Sequence, residues 1–164
     1  VLMSNPLYIA GLLSQYLPER AITGVLANIA VETGYTYDYT KKQDNGPGYG
    51  LFQFDFQKPY YFKFLEKEGL DDSAESQVRF MADAVYNDNY DAKGKYTGAL
   101  ELGGPARKAI RKSFDEGSTA DITKTFSQQY EKPSKPNMED RLKSAEELDR
   151  FKGLFTNPAR PLAV

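Results

Sequence analysis

The 164-residue chain reads as an α+β domain, a mainly helical body with a small β-hairpin lobe and a cleft between them. Two observations predict this. Apolar residues recur at helical spacing in several separate stretches, and aromatic and polar residues alternate through 35–54 around the turn cluster Asp44-Asn45-Gly46-Pro47-Gly48. A third, the absence of any internal repeat or low-complexity tract, argues for one unit. A chain of this length can bury one real core but not two full-sized ones. One domain is expected over 1–155, followed by a loose tail over 156–164 that includes Pro158 and Pro161.

The elements follow in order. Ser4 or Asn5 can cap a first short helix over 6–16, with Pro6 at its first position. Pro18 opens a second helix in which Ile22, Val25, Leu26 and Ile29 fall at i, i+3, i+4 and i+7. Residues 35–54 then form the hairpin, with Gly48 to Phe54 as its glycine-hinged strand. Asp72-Ser73-Ala74-Glu75 has the form of a capping box, and Val78, Met81, Ala82 and Val85 share one face, so a core helix is expected over 73–87. A loop rich in Asp, Gly and Lys runs to Gly104, and Pro105 starts a short helix. Ser118 or Thr119 caps the next, which carries Ile122, Phe126 and Tyr130 and is stopped by Lys132-Pro133-Ser134-Lys135-Pro136. Asn137 caps a final amphipathic helix with Leu142, Ala145, Leu148 and Phe151, closing at Gly153.

The candidate reactive group is Glu32. At about 100° per residue it lies on the shoulder of the buried stripe of the second helix, in the last turn, where unpaired carbonyls present the negative end of the dipole. Desolvation and the dipole both penalise the anion and raise a carboxyl pKa, as a general acid working near neutral pH requires. The plain alternative is that Glu is a good helix former and that helix-end glutamates are ordinarily solvated. A carboxyl beside a glycine-flanked groove is nevertheless an arrangement that suits cleavage of glycosidic bonds.

Composition restricts the chemistry further. With no His and no Cys, Ser-His and Cys-His nucleophiles, thiol chemistry, disulfides and the usual zinc, haem and iron-sulfur ligand sets are all excluded. Carboxylate, hydroxyl, Lys and Arg chemistry remains, and no cofactor is expected. No metal site is expected, and the one alternative left open is a calcium held by scattered Asp and backbone oxygens in the Asn87 to Asp91 region, which lacks an EF-hand pattern. A net charge of -2 argues against a nucleic-acid binder that uses a broad basic surface. No apolar run reaches transmembrane length and no signal peptide is read, so export is expected to need lysis, a holin-type pore or delivery in a particle. The chain begins at Val1, as a processed product or a fragment would. Twelve Tyr and ten Phe with no Trp make a high aromatic load. Tyr35, Tyr37, Tyr39, Tyr49, Tyr60 and Tyr61 bunch around the candidate site; such rings suit a sugar face, while for any single Tyr a core or strand position is the favoured reading.

The run Ile29-Ala30-Val31-Glu32-Thr33-Gly34, followed by Gly48-Tyr49-Gly50-Leu51-Phe52-Gln53-Phe54, resembles the lysozyme-like superfamily, and most closely phage tail lysozymes and phage transglycosylase-like domains. Gln77-Val78-Arg79-Phe80-Met81, and Phe126 to Tyr130-Glu131-Lys132-Pro133 followed by Arg141 and Ala145, extend the resemblance over 12–148. It implies cleavage of the β-1,4 bond between N-acetylmuramic acid and N-acetylglucosamine in peptidoglycan, with Glu32 as the acid. Thr33, Tyr49, Gly50, Gln53 and Tyr130 match positions that contact saccharide or stand near the acid. Gly50 would let substrate approach the backbone, the Gln53 amide would bond an acetamido or hydroxyl group, and Tyr130 would orient Glu32. Thr33 stands where Ser is commoner and Phe54 where Trp is common. Either residence is implied, the virion tail or the bacterial cell wall after release, with peptidoglycan and other tail proteins as partners.

A hydrolase normally needs a second carboxylate, whereas a lytic transglycosylase can work with one acid and the sugar's own 6-hydroxyl. Asp38, Asp44 and Asp55 are the candidates; Asp44 is the first choice, although Asp-Asn-Gly-Pro also serves a turn for purely conformational reasons. Two rival readings are a non-catalytic saccharide-binding or structural virion module, and a chitinase-like relative.

Overall fold

Helix α2 (Ile22–Glu32) is the axis of the molecule, because every residue from Ile22 to Ala30 is buried. The computed structural model describes residues 4–155. A helix apolar or small on all sides has to be enclosed by neighbours, and α2 is packed by α1 (Ser4–Leu13), α6 (Thr119–Phe126) and α7 (Met138–Asp149). At Gly24 an added Cβ would lie 2.6 Å from Cγ2 of Ile122, so only glycine lets α6 pack this near. Helices α3 (Lys58–Glu68), α4 (Ala74–Tyr86), α5 (Gly104–Glu116) and α8 (Lys152–Phe155) complete the body.

Most helix boundaries match the sequence expectation. A single 3-10 turn, Glu19–Ala21, separates Pro18 from α2. Ser73 caps α4 by accepting from the Ser76 amide, and Ser118 caps α6 in a full capping box with Asp121. Asn137 precedes α7 but makes no capping bond; its left-handed backbone, φ 47°, turns the chain into the helix instead. The last helix does not close at Gly153, since α7 ends at Asp149 and α8 runs through that glycine. Helix α1 ends at Leu13, short of residue 16. Helix α3 has no counterpart among the expected elements, although Pro59 in its first turn and left-handed Gly69 after its end are ordinary boundary signals. The expected tail over 156–164 lies outside the described residues.

The hairpin lobe is the main correction. Among the described residues there is no sheet, only isolated bridges, and Tyr49 pairs with both Lys42 and Phe54. Left-handed backbone at Tyr35, Tyr37, Asn45, Gly50 and Gln53 bends the segment too often for an extended strand. The stretch from Gly48 to Phe54 is a turn closed on itself: the Phe54 amide donates to the Tyr49 carbonyl (2.8 Å) and the Gln53 amide to that of Gly50 (3.2 Å). Leu51, Phe52 and Phe54 all point inward and are fully buried, whereas a strand with one wet face would alternate. Phe52 and Phe54 stack at 5.8 Å, and Phe52 meets Phe126 and Tyr130 while Phe54 meets Tyr61 and Phe80. Aromatic burial in the helical core therefore fixes this loop, where a ladder was expected.

Polar ties fasten it as well. The Gln77 side chain on α4 accepts from the Leu51 amide (2.8 Å) and donates to the Tyr39 carbonyl (2.9 Å) and to Asp72 (3.1 Å). Tyr49 and Tyr61 donate their hydroxyls to the same Asp72 carboxylate. Gly50, at φ 82°, passes so close that an added Cβ would lie 2.5 Å from Oε1 of Gln77, so its glycine is required by the fold.

Candidate active site

Helix α2 ends in a Schellman closure. Gly34, at φ 60°, donates to the Val31 carbonyl (3.2 Å) and Tyr35 to that of Ala30 (2.7 Å), which makes Glu32 the last helical residue. Thr33 secures the exit: its hydroxyl donates to the Ile29 carbonyl (2.8 Å) and accepts from the Tyr37 amide (2.9 Å). The Glu32 side chain is thereby aimed, 12% exposed, into the floor of an open groove of about 550 Å³. One wall is the loop from Gln43 to Asp55; the other is the segment from Glu131 to Arg141.

Arg141 on α7 holds the carboxyl. Its guanidinium is 1% exposed and every nitrogen is engaged: Nη2 donates to Oε1 of Glu32 (2.5 Å), Nη1 to Oδ1 of Asn28 (2.8 Å) and Nε to the Pro136 carbonyl (2.7 Å). Asn28 is fixed in turn by donating to the carbonyls of Gly24 and Thr123. The planar fork of arginine allows one side chain to tie α2 and the turn before α7 together at the acid, and Asn28 extends the tie to α6.

The second wall carries another buried carboxyl. After α6 the helix widens into a π-helical turn, Ser127–Glu131, closed by the Lys132 amide on the Ser127 carbonyl (2.8 Å), with Lys132 left-handed at φ 46°. Such a widened turn changes where successive side chains point, and Tyr130 and Glu131 are both buried. Glu131 lines the groove, yet its Oε1 has no hydrogen-bond partner. Burial pushes its carboxyl well above the usual carboxylate range; the negative charge of Glu32 adds to this and Arg141 opposes it. Burial likewise raises the carboxyl of Glu32 and outweighs the guanidinium beside it.

These shifts set a stability prediction. A carboxyl whose pKa is raised on folding binds its proton more tightly in the folded chain. The stabilisation is complete below the ordinary carboxylate range and is lost as pH rises through the folded-state values. Melting temperature is expected to fall as pH climbs from that range, and Glu131→Gln to flatten the fall. A variant whose melting curve tracks the wild type at every pH would contradict this.

Of the residues singled out from sequence, the structure brings Glu32 and Gln53 to the groove. Gln53 donates its amide to the carbonyls of Lys41 (3.0 Å) and Gly50 (2.8 Å), so its side-chain oxygen is what it can present to a ligand. Thr33 and Gly50 are buried supports, and Tyr49 directs its hydroxyl to Asp72. Tyr130, expected to orient the acid, makes no hydrogen bond to it: it is fully buried, stacked on Phe126 at 4.9 Å, and its hydroxyl has no partner. None of the bunched tyrosines lines the groove. Among the three aspartates, Asp55 lines it, whereas Asp38 binds back to Thr40 and Asp44 is exposed outside the lining. Glu131 and Arg141 were within the matched motifs but carried no assigned role. A charged side chain near a proline-rich helix stop gives no sequence signal of burial. No group of His, Cys, Asp or Glu among the described residues is arranged to hold a metal ion.

The chain matches the family model described as phage tail lysozyme over residues 9–150. No curated protein and no solved structure matches it. A match over that length, on a helical body with a buried carboxyl at the foot of a groove, places the chain in the phage tail lysozyme family.

Proposed function

We propose that this groove binds a peptidoglycan glycan strand and that Glu32 is the general acid that cleaves the β-1,4 bond between N-acetylmuramic acid and N-acetylglucosamine. Family membership supports a peptidoglycan-lytic, phage-associated role in general, by a glycosidase or a transglycosylase. The observation that carries the specific reading is a nearly buried carboxyl with a raised pKa, fixed at one atom by Arg141 and open to the groove on its other side. Held this way, Glu32 can donate to a leaving oxygen with little reorganisation. Gln53 offers an acceptor for an acetamido or hydroxyl hydrogen. Phe56, 44% exposed and under the Lys132 ammonium at 5.6 Å, follows Asp55 in the chain outside the groove lining, where it can meet a sugar ring only if the glycan extends past the groove. No helix among the described residues is long and apolar enough to cross a membrane.

Asp55 is the carboxylate available to activate water if the reaction is hydrolysis; a transglycosylase would not need it. Mass spectrometry of muropeptides released from purified peptidoglycan tests both points. Reducing muramic-acid ends are the hydrolase outcome and assign work to Asp55, whereas 1,6-anhydro ends are the transglycosylase outcome. The Glu32–Arg141 pair is also what a purely structural ion pair looks like, which favours a saccharide-binding module as the second reading. Protein that sediments with cell walls and releases no muropeptide would establish that reading in place of the enzyme.

A further inference from the structure

Glu131 is the buried polar group that the proposed chemistry leaves unused. Its carboxyl lines the groove with Glu32, and one side-chain oxygen is enclosed without a partner. The π-helical turn that carries it keeps it buried next to fully buried Tyr130. Arg141 is paired with Glu32, and the buried Glu131 carboxyl shares the groove with that pair without joining it in an ion pair. Two ionised carboxylates in one poorly solvated site with a single buried cation leave a net negative charge largely out of water, which is strongly unfavourable. One retained proton makes the cluster neutral, and such a proton belongs to the pair. The other charged groups lining the groove are Asp55 on the loop and Lys132 and Lys135 after the π-helical turn; burial, Glu32 and Arg141 are what act on the Glu131 carboxyl.

We propose that Glu131 stores the proton that Glu32 delivers, acting through Glu32 and Arg141 without touching the substrate. In the resting state so proposed, Glu32 is the carboxylate partner of Arg141 and Glu131 carries the proton. Loading the acid moves one proton from Glu131 to Glu32 by way of the groove's solvent, which leaves Glu131 as the charged carboxyl of the two. Glu32 then protonates the glycosidic oxygen as its bond to the anomeric carbon breaks. The attacking water, or the sugar's own 6-hydroxyl, loses a proton as its oxygen bonds to that carbon, and this proton replaces the one spent. Proton number and charge are unchanged over the cycle. The inference rests on Glu32 being the acid.

The test is the pH dependence of kcat/KM on purified peptidoglycan for the whole chain, Glu131→Gln and Glu32→Gln. Without the second carboxyl, Glu32 beside Arg141 keeps its proton only at lower pH. Glu131→Gln is therefore expected to lose about tenfold or more at neutral pH, about tenfold per pH unit by which the limb moves, and to recover toward acid pH. A profile that superimposes on the wild type, or is scaled down equally at every pH, overturns the proton store. If Glu32→Gln stays active, the assignment of the acid fails and this inference with it; if Glu32→Gln is dead while the Glu131→Gln profile is unchanged, only the store fails. Infrared spectra give a readout independent of turnover. The wild type is expected to show the carbonyl stretch of a protonated carboxyl at neutral pH and Glu131→Gln to lack it; a wild-type spectrum without that band overturns the proposal.

Discussion

Glu32→Gln is expected to reduce peptidoglycan cleavage by about 10²- to 10⁴-fold, the usual contribution of a positioned general acid, while the protein still folds. The amide keeps an oxygen that can accept from Nη2 of Arg141, so the tie across α2 and α7 survives the substitution. What is lost is the transferable proton. Turbidity loss of a cell-wall suspension, read beside the melting temperature, separates the two effects. A variant that clears walls at more than a tenth of the wild-type rate would remove Glu32 from the mechanism, and one that no longer folds would mean that the carboxyl is chiefly structural. The wild-type rate is also expected to fall as pH rises through the folded-state pKa of Glu32, because only the protonated form can donate.

Arg141→Ala is expected to have the largest effect on stability, about 3–5 kcal/mol, the range for removing one partner of a buried ion pair. The physical reason is the set of groups left behind. Glu32, the Asn28 side-chain oxygen and the Pro136 carbonyl each lose a donor, and a fully buried side-chain volume is emptied. For a domain of this size the loss corresponds to roughly 10 °C in melting temperature. Arg141→Lys should recover part of it, since an ammonium keeps the charge but cannot present three directed donors in one plane. An alanine variant that melts within a degree or two of the wild type would show that the cluster contributes little net stability. Activity should fall in both variants, because Glu32 loses the group that fixes its direction.

Much of the helical body is legible from the residues alone. Ile22, Val25, Leu26 and Ile29 mark α2, Ser73 and Ser118 mark the caps of α4 and α6, and Gly34 marks the end at which Glu32 stands. These are local matters of spacing, capping oxygens and tolerance of left-handed backbone, which a neighbour of a few residues decides. Even so, α3 escapes notice because its apolar positions are interleaved with exposed Tyr60 and Phe62, which blur the buried face formed by Tyr61, Phe64 and Leu65. The loop from 35 to 54 is misread for a related reason. Its aromatics have high strand propensity, but that propensity measures fit to a half-buried surface, and here Leu51, Phe52 and Phe54 found a helical core to enter instead.

The sequence by itself determined that the chain is mainly helical and without thiol or imidazole chemistry, and that a glutamate ends its most apolar helix. Only the tertiary structure decided what surrounds that glutamate. Arg141 lies 109 positions away along the chain and Glu131 is brought in by a π-helical turn, so neither partner is implied by spacing near Glu32. The same holds for Tyr130, which packing turned inward, and for Asp55, which the folded loop carried to the groove. Local hydrogen bonds can be read from neighbouring residues, whereas burial and charge pairing depend on which distant side chains the packed helices bring together.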